Sequence, residues 1–273
     1  DRYGDEAKVL AGGQSLMPLL NMRLVRPQAI VDINHVTQLD YIAPAPDGGL
    51  AIGALTRQRT VERSAIVRQH SPLLAEALPF IAHFPIRNRG TVGGSIVHAD
   101  PAAELPAVGV TLEAELVLAG SGTQRVLKAE DFFLGYLTTA LEPGEVLTEL
   151  RVPALDGDWG WGFTEVCRRH GDFAMVGAAT LLQLDEDDSC AAARVTVFGV
   201  GGAPVRVTRA EEMLAGQPVD DRALEDVAKV VSEAIDPFDD IHASAEYRRE
   251  VGGTLARRAM ETALGRARGG AKS

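Results

Sequence analysis

The chain has 273 residues, 46% hydrophobic and 24% charged, enough for one large packed domain or two to three smaller ones. Its 38 acidic and 27 basic residues leave a net charge of −11, which repels phosphate backbones, and no basic stripe with interleaved aromatics offsets this, so nucleic-acid binding is disfavoured. Cys167 and Cys190 are the only cysteines, too few for a disulfide scaffold or for four-thiolate iron–sulfur ligation, and no apolar run approaches the roughly 20 residues of a membrane span.

In chain order, Ala7 to Leu10 reads as a strand, Leu16 to Leu24 as a short helix with Ser15 near its N-cap, and Ala29 to Ile33 as a second strand. Pro18 falls in the first helical turn, where its missing N–H costs nothing. A turn at 44–49 leads to a strand over Leu50 to Ala54, and Thr56 is placed to cap the next helix. After Pro72, the residues Leu73, Leu74, Ala77, Leu78 and Ile81 share one helical face that ends near Phe84-Pro85. Pro101 starts a further helix, and a hairpin follows over Glu115 to Leu118 and Arg125 to Lys128. Val146 to Val152 is the last strand before a Pro/Asp/Gly/Trp-rich connector at 153–160. Beyond it come strands over Phe163 to Arg168, Val176 to Leu184 and Arg194 to Val200, a turn at Gly201-Gly202, and helices near 208–216, 220–235 and 244–266. Strands followed by helices predict an α+β unit. The arginines Arg257, Arg258, Arg266 and Arg268 read as a solvated helix face and a frayed tail.

The sequence contains no Gly-x-Gly-x-x-Gly, P-loop, His-Glu-x-x-His or Gly-x-Ser-x-Gly pattern, so Rossmann, P-loop, zincin and serine-hydrolase readings have no support. Two Gly-Gly segments remain: Ala11-Gly12-Gly13-Gln14-Ser15 and Thr91-Val92-Gly93-Gly94-Ser95. Successive amides without side chains form anion-binding concavities, so two such loops could grip a pyrophosphate from both sides, with Ser15, Thr91 and Ser95 adding hydroxyl donors. Either loop alone reads equally well as a plain turn. His98, Asp100 and Glu104 cluster after the second loop; Glu104 suits ribose hydroxyls, while Asp100 also fits an N-cap and His98 a structural histidine. Arg87 and Arg89 are placed to steer phosphates or to form salt bridges. Phe173, after a charged turn, suits either the core or contact with a flat conjugated ring.

Taken together, Ala11-Gly-Gly-Gln-Ser-Leu, Arg87-Asn-Arg-Gly-Thr-Val-Gly-Gly-Ser-Ile with its His-Ala-Asp-Pro-Ala-Ala-Glu-Leu-Pro tail, and Arg168-Arg-x-Gly-Asp-Phe-Ala resemble the FAD-binding medium subunit of the molybdenum hydroxylases. Leu-x-Pro-Gly-Glu-Val-Leu at 141–147 and Val-x-Gly-Val-Gly-Gly-Ala-Pro-Val-Arg at 197–206 extend the likeness over nearly the whole chain. The resemblance implies an α+β fold of the vanillyl-alcohol-oxidase/PCMH flavin type: FAD-binding subdomains over 1–50 and 51–155, then a C-terminal domain over 161–273 with a three-stranded sheet and helices. It implies that FAD is held by the first loop (Leu10, Ala11, Gly12, Gly13, Gln14, Ser15, Leu16) and the second (Thr91, Val92, Gly93, Gly94, Ser95, Ile96). His98, Asp100 and Glu104 follow, with Glu104 on the ribose, Ile81 and Leu147 as apolar neighbours and Phe173 beside the isoalloxazine, where the family often has tyrosine. The family opens with a further strand and helix before the first loop; here only Asp1 to Glu6 precede it and no methionine begins the chain, so truncation or disorder of the opening is expected.

The resemblance also implies the partners: a large molybdenum–pterin subunit that hydroxylates substrate and a small subunit with two [2Fe–2S] clusters, assembled as a dimer of heterotrimers in the cytoplasm. This chain would pass electrons through FAD to an external acceptor and need no acid or base catalyst of its own. The rival readings are a self-contained flavin oxidoreductase on the same fold and a non-catalytic assembly protein that has lost its flavin.

Overall fold

The computed structural model describes residues 3–270. Strands β1 (Ala7–Leu10) and β2 (Ala29–Asp32) pair in parallel, Ala7 opposite Ala29 and Leu10 opposite Asp32, around helix α1 (Leu16–Asn21). The helix stops short of Leu24 because Arg23 turns into the left-handed region at φ 58°. Strand β3 (Ile42–Pro44), which the turn reading at 44–49 missed, forms a hairpin with β4 (Leu50–Gly53).

Short helices then cross the molecule: α2 (Gln58–Arg63), α3 (Ala65–His70), α4 (Pro72–Ala77), α5 (Phe84–Arg87), α6 (Val92–His98) and α7 (Glu104–Thr111). Thr56 does not cap α2; its hydroxyl donates to the Tyr41 carbonyl at 2.8 Å and ties two loops instead. Nor does Pro101 start α7. The Asp100 carboxylate accepts from the Ala102 amide at 2.9 Å in a local turn, and the helix begins at Glu104. The chain continues through β5 (Glu115–Ala119), β6 (Gln124–Lys128), α8 (Ala129–Phe132), β7 (Phe133–Gly135), β8 (Thr138–Thr139) and β9 (Val146–Val152). Five of these strands form an antiparallel sheet in the order β3-β4-β9-β5-β6. Leu50, Ile52, Leu116, Leu118 and Leu150 alternate onto its inner face, as period-two patterning dictates, and share one core with Val92 and Ile96 of α6, the helix that packs on β4 and β9.

The remaining chain builds a second antiparallel sheet, β10 (Trp159–Cys167), β11 (Ala174–Leu184), β12 (Cys190–Phe198) and β13 (Val205–Arg206), in sequence order. Helices α9 (Thr208–Leu214), α10 (Asp221–Ala234) and α11 (Ala245–Gly270) cover one face. Gly160 and Gly162 let α11 approach that face: a Cβ on either would stand 1.8 Å from the Ala263 carbonyl oxygen or 2.0 Å from that of Ala259. The alternate β10 residues Trp161 and Phe163 therefore meet the first half of the chain. Trp161 donates to Glu76 at 2.7 Å, and Phe163 stands 5.0 Å from Phe80 and 5.8 Å from Phe198, ring centre to ring centre. The arginine-rich C-terminal helix is not merely solvated: Arg266 lies 4.6 Å over the Trp161 ring, and Arg268 pairs with Asp188 at 2.7 Å.

The Phe80–Phe163–Phe198 row joins the two halves. Phe198 is fully buried, so Phe198→Ala is expected to cost about 3–5 kcal/mol in a urea-unfolding titration. A loss below about 1 kcal/mol would show that the row does not hold the halves together.

Candidate functional site

The first glycine loop leaves the end of β1 at Leu10, and Gly13 takes a φ of +73° that a side chain would strain. The second loop is seated on the end of β4. The Gly93 amide donates to the Ala54 carbonyl at 2.8 Å, and the Val92 amide to the Thr56 carbonyl at 3.0 Å. A Cβ on Gly93 would stand 2.5 Å from the Ala54 Cβ, so only glycine allows this seating. Thr91 caps α6, its hydroxyl accepting from the Gly94 amide at 3.0 Å.

The two loops, some eighty residues apart in sequence, touch. A Cβ on Gly12 would lie 2.4 Å from the Arg89 carbonyl oxygen and 2.9 Å from the Gly90 Cα. Beside this contact opens a cleft of about 620 Å³, within the range of small-ligand sites. It is lined from the first loop by Ala11 to Leu16 and from the second by Thr91, Gly93, Gly94 and Ser95. His98, Asp100, Glu104, Ile81, Leu147 and Phe173 complete the sequence-predicted part of the wall.

Three predicted residues stand outside the lining. Val92 and Ile96 are buried in the core and anchor α6, and Leu10 sits half-buried beneath Gly13. Arg87 is not free for phosphate: it is buried, donating to Glu62 at 2.8 Å and to the carbonyls of Ile81 at 2.7 Å and Ala82 at 2.9 Å. Arg89 is exposed and contributes its carbonyl, not its side chain. Gln14 folds back on its own loop, donating to the Gly12 carbonyl at 2.9 Å.

Sequence patterning missed other parts of the wall, among them Lys8, Leu55, Gln58, Leu141 and Val146. Gln58 reaches the cleft because its amide donates to the Gly90 carbonyl at 2.9 Å and Arg57 bridges to Thr91. That pairing is non-local, so nothing in the local sequence signals it. Gln58 is buried, and its Oε1 has no hydrogen-bond partner.

Glu104 is 6% exposed at the start of α7. Burial pushes its carboxyl up to about 7, the nearby Asp100 charge adding to the rise and Arg87 opposing it. Glu165 on β10 is pushed up to about 8, first by burial and then by the charge of Glu104, and its buried Oε2 has no partner. Phe173 stands 68% exposed at the cleft, so it is not a core residue. Among the described residues no group of three or more His, Cys, Asp or Glu is placed to hold a metal, and no helix is long and apolar enough to cross a membrane.

Residues 2–155 match the family described as the FAD binding domain in molybdopterin dehydrogenase, and residues 161–263 match the CO dehydrogenase flavoprotein C-terminal domain. The chain is 42% identical to the 6-hydroxypseudooxynicotine dehydrogenase complex subunit alpha of Paenarthrobacter nicotinovorans, over 97% of this chain and 89% of that one. With the caffeine dehydrogenase subunit beta of Pseudomonas sp. (strain CBB1) the identity is 39%, over the same 97% and 89%. The solved carbon monoxide dehydrogenase of Hydrogenophaga pseudoflava superposes with a TM-score of 0.94 at 35% identity, over 97% of this chain and 92% of that chain.

Proposed function

The chain belongs to the family of FAD-binding medium subunits of the molybdenum hydroxylases, and we propose that its own cleft grips the FAD diphosphate between the two glycine loops. The observation that carries this reading is the contact of Gly12 with Arg89–Gly90, which brings two bare stretches of backbone to one cavity. The hydroxyls on its wall, Ser15, Thr91 and Ser95, are neutral donors suited to a diphosphate in an acidic protein. Glu104 takes the ribose hydroxyls, and Phe173 offers a ring face to the isoalloxazine.

FAD held here would supply the capacity to take electrons singly and pass them on as a pair. The chain's task is to hold and orient it; no residue of the cleft is needed as a general acid or base for substrate. The bound FAD would take its electrons from [2Fe–2S] clusters in a small partner subunit, which would be supplied by a molybdenum–pterin centre in a large one. The electrons would leave to an external acceptor. The complex is a dimer of such heterotrimers in the cytoplasm, and within this chain the FAD-binding part divides from the C-terminal domain at 155–161.

The test is the flavin content of the purified chain and of its complex with co-expressed partners. One FAD per chain is expected. No flavin in either preparation would sink the reading, and reduction of the flavin by substrate with this chain alone would favour a self-contained oxidoreductase. Phe173→Ala is expected to keep the flavin but weaken it by about 1 kcal/mol, the scale of one aromatic contact, with altered flavin absorption and fluorescence. Unchanged spectra and affinity would remove Phe173 from the site.

A further inference from the structure

Beneath the two glycine loops, outside the cleft, lies a polar connection made by residues that neither the family likeness nor the cleft lining singles out. Asn34 follows β2 at the back of the first loop. Its Nδ2 donates to the Ala11 carbonyl at 2.7 Å and, at 3.4 Å, to the Leu10 carbonyl, while Asp32 Oδ1 accepts from the same Nδ2 at 2.7 Å. Arg57 precedes α2 and forks its guanidinium between Asn34 and the chain leading into the second loop. Nη2 donates to Asn34 Oδ1 at 2.9 Å, and Nη1 to the Arg89 carbonyl at 2.5 Å. Among the described residues no carboxylate pairs with Arg57.

The mechanical consequence follows from the direction of each force. The contact of Gly12 with Arg89–Gly90 sets how closely the loops can approach, and its dispersion attraction, small for each atom pair, resists separation only weakly. Among the described residues the polar link between the loops runs through this fork: Arg57 holds the Arg89 carbonyl and Asn34, and Asn34 in turn holds the Ala11 carbonyl, so the pair resists separation. Contact and fork together define one spacing. We propose that Arg57, oriented by Asn34, is a positioning residue that fixes the separation of the two glycine loops before the dinucleotide enters. This inference rests on the reading of the cleft as an FAD site.

Pre-organisation of this kind raises affinity by removing an ordering cost, without touching the ligand. The arrangement needs a planar fork. A lysine carries the same charge but offers a compact ammonium that cannot span both acceptors in this geometry. A purely electrostatic role, attracting the diphosphate from behind the loops, would be met equally well by lysine and would fade with added salt.

The experiment is FAD titration of the deflavinated full chain in four forms: wild type, Arg57→Ala, Arg57→Lys and Asn34→Ala, each at low and high salt, with the unfolding midpoint of every FAD-free form. Both alanine variants are expected to bind FAD about 10- to 100-fold more weakly, the scale on which loss of an outer-shell partner acts at metal sites. Arg57→Lys is expected to recover less than half of that loss on a logarithmic scale, the loss is expected to persist at high salt, and the FAD-free midpoints to stay close to wild type. Wild-type affinity in the alanine variants overturns the proposal, as does full recovery by lysine, or a fall in FAD-free stability that matches the lost affinity. Should Arg57→Ala not fold, Asn34→Ala, at the half-exposed end of the same connection, decides alone. If the wild type itself takes up no FAD, the parent reading fails first, which the wild-type titration shows separately.

Discussion

Gly12→Val is expected to empty the cleft of FAD, with a fall in affinity of about 100-fold or more, ~2.7 kcal/mol or greater. The two atoms that a Cβ would meet, the Arg89 carbonyl oxygen at 2.4 Å and the Gly90 Cα at 2.9 Å, are both backbone. Neither can rotate away as a side chain would, so the loops must part. Gly13→Val should be milder. Its positive φ costs about 1–2 kcal/mol, but the nearest atoms, 3.1 Å away, belong to the flexible side chains of Leu10 and Met17. Gly94→Val falls between, since a Cβ there would crowd the Thr91 hydroxyl, at 2.7 Å, that caps α6. Flavin per chain after purification, followed by FAD titration, ranks the three. Wild-type flavin content in the Gly12 variant would mean that the loops need not touch, and the clamp would be rejected.

The second large effect lies at Glu104 and depends on pH. Its carboxyl is raised from 4.5 to about 7, chiefly by burial. Between those values the folded chain binds the proton that the unfolded chain releases. The contribution to stability is therefore fully present below about pH 4.5 and is lost as pH rises through about 7, a change on the order of 3 kcal/mol. Ribose hydroxyls donate to the ionised carboxylate, so FAD should bind with release of a proton. Affinity should rise with pH up to about 7 and level off above it. Glu104→Gln should flatten both dependences and, at pH 8, weaken FAD by about 10- to 100-fold through loss of charge-assisted hydrogen bonds. Titrations at several pH values check this in wild type and variant. A wild-type affinity that does not change across neutrality would show that Glu104 does not meet the ligand in its charged form.

Much of the fold was legible locally. The hairpin of β5 and β6, the glycine-flanked strand β1 and the amphipathic α10, with Asp220 accepting from the Ala223 amide at 2.8 Å as its cap, all follow from spacing and turn chemistry. Illegible were elements too short to show a period, such as β3, α3 and α5, and the exact starts of α2 and α7, where Thr56 and Asp100 spend their polar atoms on neighbouring backbone instead. The charged residues were the least readable. Arg87 offered phosphate steering or a salt bridge, and only the structure selects the salt bridge, to Glu62, with two carbonyls beside it; Arg57 carried no local signal and, with Asn34, links the two loops. Long side chains choose partners through space, and a one-dimensional pattern does not hold that information.

The sequence by itself determined which stretches of backbone are bare. Glycine's missing Cβ is a property of the residue, so Gly12-Gly13 and Gly93-Gly94 marked close approach before any fold was known. The tertiary structure alone decided that the two stretches approach each other, that Glu104 is buried deeply enough for its proton to be held near neutrality, and that Asn34 and Arg57 stand behind the loops. Those are consequences of long-range packing: the end of β4 seats the second loop, β1 delivers the first, and their meeting point exists only once both are folded.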